Sequence, residues 1–171
     1  MVDVEIRPVL PREYGDLGRL TVRSYRQLVG GAALGPYEDE LLDVAARAAD
    51  CVVLVAVDND TVLGGVTYVP SADRAMSEFQ GEDAAGIRML AVDPAHQGIG
   101  AGRALVEACI SLGRKEGRTR LCLHSTPAMA VARALYLSLG FVRLPSLDLT
   151  VEDPPYSQSV PLELLAFELV L

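Results

Sequence analysis

The tightest cluster of glycine in the chain is Gln97-Gly98-Ile99-Gly100-Ala101-Gly102-Arg103, and its chemistry would be carried by the main chain. Glycines allow a tight turn and bring successive N–H groups out towards a ligand. If a helix opens there, its unpaired first-turn N–H groups add partial positive charge, and the site suits phosphate. The competing account is a plain strand-to-helix turn. Two other phosphate motifs fail on the same residues. A P-loop needs lysine and then Ser or Thr after its last glycine, but the chain has Arg103-Ala104. A dinucleotide fingerprint needs G-x-G-x-x-G and an acid at the end of the next strand. Here Gly98-x-Gly100-x-Gly102 has the wrong spacing, and Arg120–His124 carries no acid.

The remaining reactive side chains are sparse. Three cysteines (Cys51, Cys109, Cys122) sit inside apolar segments without a C-x-x-C, and the two histidines, His96 and His124, add no metal-ligand cluster. The thiols read as free and buried in a reducing cytoplasm, with no metal site. A net charge of −8 leaves no basic footprint for nucleic acid. Met1 to Arg7 alternates apolar and charged residues, unlike a signal peptide. The apolar run Cys51–Val57 falls far short of the roughly 20 residues that cross a bilayer. At 171 residues, half of them hydrophobic, the chain reads as one globular, cytoplasmic domain spanning residues 1–171 with a sizeable core.

The elements that must position these groups follow from periodicity. Val2, Val4 and Ile6 alternate with charged residues, predicting a strand. Leu17, Leu20, Tyr25 and Leu28 predict a helix from Pro11 to Leu28, and Leu41, Leu42, Ala45 and Ala48 a second from Glu38 to Ala49. Cys51–Val57 and Thr61–Val69 form a hairpin around Asp58-Asn59-Asp60, with Gly64-Gly65 marking a bulge or close backbone approach. After a polar loop, Gly86–Val92 is a strand, and the glycine turn opens a helix to about Glu116. Arg120–His124 is a strand. Thr126-Pro127 predicts the cap and first residue of a helix that ends at Gly140. Phe141–Val151 and Leu162–Leu171 are strands separated by a proline-rich loop. The early hairpin implies a mostly antiparallel sheet, and only the strand–helix–strand unit over residues 86–124 requires a parallel crossover.

Met89-Leu90-Ala91-Val92-Asp93-Pro94 followed by Gln97-x-x-Gly100-x-Gly102 resembles the Q/R-x-x-G-x-G/A coenzyme A signature of the GNAT N-acetyltransferase superfamily. Ala132-x-x-Leu135-Tyr136-x-x-x-Gly140-Phe141 resembles the second motif of that family, A-x-x-L-Y-x-x-x-G-F. Both stand in order and on the right elements. The resemblance implies a mixed α/β (α+β) fold with about seven strands and four helices, whose central parallel pair splays to admit coenzyme A. It implies that main-chain groups of Leu90, Ala91 and Val92 meet the pantetheine arm, with the Leu90 amide at the thioester carbonyl. The turn of Gln97, Gly98, Ile99, Gly100, Ala101, Gly102 and Arg103 would hold the pyrophosphate. Tyr136 matches the general acid, since a phenol with a pKa of about 10 is protonated at neutral pH; packing on an amphipathic helix is its plainer role.

Two positions depart from the pattern. Gly86 stands where the family often has a glutamate base, and Met129 where it often has an asparagine. The proton of the acceptor amine could go to a loop carboxylate (Glu78, Glu82 or Asp83) or to a water chain, or the amine could arrive neutral. His96 reads as a surface histidine near the phosphates, and His124 as a buried imidazole or a catalytic one.

The expected activity is acetyl-CoA-dependent N-acetyl transfer to a primary amine of a small molecule or peptide, by direct transfer in a ternary complex. Glu38, Asp39, Glu40, Glu78, Glu82 and Asp83 lie where the family admits acceptors, which would favour cationic ones. A non-catalytic acyl-CoA sensor and a transferase for a larger acyl group are the alternatives. The long apolar C-terminal strand suggests a homodimer covering an exposed edge.

Overall fold

A computed structural model describes residues 3–152 and 162–171. Val2 and most of the proline-rich loop lie outside them. Strand β1 (Glu5–Pro8) and a short 3-10 turn at Pro11–Glu13 lead into helix α1 (Tyr14–Leu28). The second expected helix is two, α2 (Tyr37–Leu42) and α3 (Val44–Asp50). Asp43 divides them because its carboxylate leaves the helix and accepts from the Ala46 N–H at 3.0 Å, capping α3. The hairpin β2 (Val52–Asp58) and β3 (Thr61–Val69) precedes β4 (Ala84–Val92), α4 (Ala101–Lys115), β5 (Arg120–Ser125) and α5 (Ala130–Ser138). The chain ends with β6 (Val142–Arg143), β7 (Leu149–Val151) and β8 (Leu162–Val170).

Helix α5 starts at Ala130, later than Thr126-Pro127 suggested. Pro127 instead sits inside a turn closed by the Met129 N–H on the Thr126 carbonyl at 3.0 Å, a position proline favours equally. The single strand expected over Phe141–Val151 is broken into β6 and β7 by the 3-10 turn Pro145–Leu147; proline cannot donate to the ladder.

The sheet order is β1-β2-β3-β4-β5-β8-β6, with β7 paired to β8. Every pairing is antiparallel except β4 with β5. Successive residues of β2 feed opposite faces. Leu54 and Ala56 pack with Leu105, Val106 and Cys109 of α4, while Val53, Val55 and Val57 pack with Leu17 and Leu20 of α1. A strand buried on both faces reads as an unbroken apolar run, which Cys51–Val57 is. Gly64 lies against the backbone of β4, where a Cβ would meet the Ala91 carbonyl oxygen at 2.6 Å. The C-terminal strand β8 is no exposed edge, because β5 covers one side and β6 and β7 the other. The edge argument for a homodimer therefore falls.

Candidate active site

The parallel pairing of β4 and β5 runs from Ala84↔Arg120 to Ile87↔Leu123 and then stops, although β4 continues to Val92. The strands diverge at a bulge. Thr67 pairs with Arg88 and Gly65 with Ala91, so Met89 and Leu90 together face the single residue Val66. Met89 takes a φ of +52°, a conformation rare for a long side chain and costing about 1–3 kcal/mol. Its side chain is buried beside Val22, Leu34 and Leu41, which hold it there. No sequence signal marked its positive φ.

Two clefts open along the split. One of about 540 Å³ is lined by Leu90, Ala91 and Val92, by Gln97, Gly98, Gly100, Ala101, Gly102 and Arg103 of the turn, and by α1 and α5. All the expected cofactor-binding residues border it except Ile99, whose side chain lies outside the lining. Gly98 and Gly100 have φ of +83° and +89°, with nothing near the place of a Cβ. Gly102 differs: it lies within α4, and a Cβ there would make ordinary contacts with Val92 at 3.6 Å and Leu135 at 3.7 Å. Gly100 caps α4, accepting from the Ala104 N–H at 3.0 Å, so the amides of Ala101, Gly102 and Arg103 lack intrahelical acceptors. Ion pairing of Arg23 with Asp93 at 2.6 Å ties α1 to the start of the turn. Arg103 bridges to the Ser138 hydroxyl at 2.8 Å, fastening α4 to α5. A diphosphate on a long flexible arm fits this cleft: open amides at one end, an unpaired strand along the other.

The second cleft, about 270 Å³, shares Tyr25, Leu90, Met129 and Ala132 with the first and holds Tyr136 on its wall. The Tyr136 ring packs against Phe141 at 5.7 Å and Phe167 at 6.3 Å between centroids. Burial raises its phenol pKa well above the ordinary value, keeping it protonated. Met129 puts a thioether on the wall that the two clefts share.

Of the three loop carboxylates, only Glu78 lines this cleft. Asp83 is held by Arg120 at 2.9 Å and by the Thr119 hydroxyl at 2.6 Å. Glu78 meets Arg88 at 3.2 Å and His124 Nδ1 at 3.4 Å. His124 Nε2 lies 3.2 Å from the Leu147 carbonyl oxygen. Burial works against the imidazolium, but the partners Glu78 and Leu147 outweigh it, and the His124 pKa is raised. Glu78 is lowered in turn: its burial opposes ionisation, and His124 and Arg88 overcome that. Glu40 also lines the cleft, whereas Glu38 is engaged by Arg26 at 2.7 Å. The acidic mouth thus reduces to Glu40 and a compensated Glu78. His96 lines neither cleft.

The model of the acetyltransferase (GNAT) family matches residues 17–141, most of the chain. The protein belongs to the GNAT acetyltransferase family. No curated protein matches it. Among solved structures, this GNAT chain is similar to a ribosomal-protein-alanine N-acetyltransferase from Brucella melitensis, at 21% identity and a TM-score of 0.73, covering 98% of this chain and 99% of that one. A structure from Salmonella typhimurium, solved with its cofactor acetyl-CoA, matches at 22% identity and a TM-score of 0.68 over 98% of this chain and 94% of that one. An N-acetyltransferase from Thermoplasma acidophilum, in complex with coenzyme A, matches at 15% identity and a TM-score of 0.71, with 99% of each chain covered. These likenesses show that the fold, with its split parallel pair, is that of the family.

Proposed function

We propose that the protein transfers the acetyl group of acetyl-CoA to a primary amine of a small molecule or peptide, directly and within a ternary complex. The observation that carries this reading is the meeting of two clefts at Leu90 and Met129. One is built for a phosphate-bearing arm. The other brings in an amine beside a protonated tyrosine.

The amides of the Gly98–Arg103 turn hold the pyrophosphate through the partial charge of the α4 N-terminus. Acetyl-CoA, when bound, supplies a thioester already activated for acyl transfer. The main chain at Leu90, bordering both clefts, stabilises the negative charge that develops on the carbonyl oxygen. Tyr136 gives its proton to the departing sulfur. Tyr25 and Tyr37, 6.1 Å apart between ring centroids, line the second cleft together with Glu40, and rings with a carboxylate suit an ammonium. That favours cationic acceptors.

The test is release of free thiol from acetyl-CoA with spermidine, an aminoglycoside, free amino acids and an alanine-initiated peptide. Release with at least one amine is expected, and succinyl-CoA should be the poorer donor. Tight acetyl-CoA binding without release across the panel would favour a sensor instead.

A further inference from the structure

Four residues border both clefts: Tyr25 of α1, Leu90 of β4, and Met129 and Ala132 at the start of α5. A donor lying in the first cleft and an acceptor entering by the second meet at this junction, so the acyl group of the thioester lies against these four residues. None of them is charged. Arg103 borders the first cleft alone, and Glu40, Glu78, Arg88 and His124 the second alone.

We propose that Met129 sets the size of the acyl group this enzyme transfers, with Ser125 as the positioning residue that holds its thioether in place. The inference rests on the acetyltransferase reading. Most directions around the thioester are then committed. Its oxygen faces the β4 main chain at Leu90, its sulfur leads back to the first cleft, and the amine approaches from the second. The acyl tail is left with the rest of the junction, which is Tyr25, Met129 and Ala132. Ala132 contributes only a methyl group. Tyr25 is fixed by the Tyr37 ring and by packing under α1. Met129 is the long, unbranched side chain of the three, and the apolar clusters of the described residues do not include it. Its side chain borders open cleft instead of filling core.

Met129 is nevertheless held. Its N–H bonds the Thr126 carbonyl and its carbonyl accepts from the Arg133 N–H, both at 3.0 Å, which fixes the backbone where α5 begins. Ser125, at the end of β5 and only 2% exposed, donates its hydroxyl to the Met129 sulfur at 3.6 Å. A thioether is a weak acceptor, but three rotatable bonds let a methionine adapt to whatever lies beside it. Pinned at sulfur, it becomes a wall of defined depth. An uncharged junction also leaves the carboxylate of a succinyl group without a partner, which burial penalises.

The reaction is the same for every donor. One ammonium proton of the amine goes to solvent, and the freed nitrogen lone pair forms the C–N bond. The C–S bond breaks, sulfur takes the Tyr136 proton, and a second proton from the new amide nitrogen restores the phenol. Only the space beside the acyl carbon distinguishes the donors.

The test is kcat/KM by thiol release for acetyl-, propionyl-, butyryl- and succinyl-CoA with the best amine of the panel. It compares wild type, Met129→Ala, Ser125→Ala and Ala132→Val, each checked for its melting temperature. Wild type should lose about 10–200-fold from acetyl-CoA to butyryl-CoA. Met129→Ala should bring butyryl-CoA to within about tenfold of acetyl-CoA, chiefly by a gain on butyryl-CoA, with succinyl-CoA still poor. Ser125→Ala should give an intermediate ratio, whereas a merely structural hydroxyl would lower the melting temperature and leave the ratio alone. Ala132→Val adds bulk to the same wall and should disfavour propionyl-CoA further. An unmoved ratio in folded Met129→Ala, or wild type that uses butyryl-CoA as readily as acetyl-CoA, overturns the gate while leaving the transferase reading intact. The wild-type ratio in Ser125→Ala overturns the positioning role. Wild type that binds acetyl-CoA but releases no thiol from any donor with any amine overturns both the gate and the transferase.

Discussion

The Phe79 ring lies over Gly86, so that a Cβ on Gly86 would come to 2.7 Å from Phe79 Cδ1. The glycine is thus a packing requirement of the loop before β4, as well as the loss of a catalytic position. Gly86→Glu should not install a base. It should overpack the site and destabilise the fold by about 1–3 kcal/mol, read from the midpoint of denaturant unfolding. Adding Phe79→Ala should recover part of that loss, since the two positions share one space.

The glycines of the turn should differ in sensitivity. Gly100→Val forces a β-branched residue to a φ of +89°, and αL strain of about 1–2 kcal/mol per residue should weaken acetyl-CoA binding roughly tenfold by calorimetry. Gly102→Ala places its methyl at 3.6–3.7 Å from Val92 and Leu135 on helical backbone. Its affinity should stay near wild type.

Tyr136→Phe keeps the contacts with Phe141 and Phe167 and removes the proton. The kcat should fall by about 10²–10⁴-fold with acetyl-CoA affinity unchanged. Burial raises the phenol pKa, so the wild-type rate should show no alkaline limb from Tyr136 near the ordinary phenol value of about 10. A limb there that vanishes in the Phe variant would place the hydroxyl in a wetter setting than the clefts show.

His124 also links stability to pH. Its folded-state pKa is raised, with burial opposed and overcome by Glu78 and Leu147. The interaction therefore stabilises fully below the unfolded value of about 6.5 and fades as pH rises through the folded one. The melting temperature of wild type should exceed that of His124→Gln most below that pH, and the gap should narrow above it. Glu78→Gln should flatten the difference.

Much of this protein was legible in residue order because the decisive signals are local. The β2–β3 hairpin follows from apolar runs around Asp58-Asn59-Asp60, and α4 from the glycine turn and its apolar face; both depend on neighbours a few positions away. The cofactor turn was readable for the same reason, since glycine at Gly98 and Gly100 reports backbone conformation wherever it stands. Punctuation was less reliable. Thr126-Pro127 serves a turn as well as a helix start, and Asp43 stops one helix while capping another, so local chemistry allowed two outcomes and packing chose. What joins distant segments was decided only by tertiary structure. That β8 enters between β5 and β6, rather than lining an edge, is a choice of partners that an apolar run cannot encode by itself. The positive φ of Met89 comes from the bulge that separates β4 from β5, not from any preference of methionine. And Glu78, one loop acid among three by sequence, is distinguished from Glu82 and Asp83 because Phe79 docks on Gly86 and carries it to His124, a residue whose proximity exists only in the folded sheet.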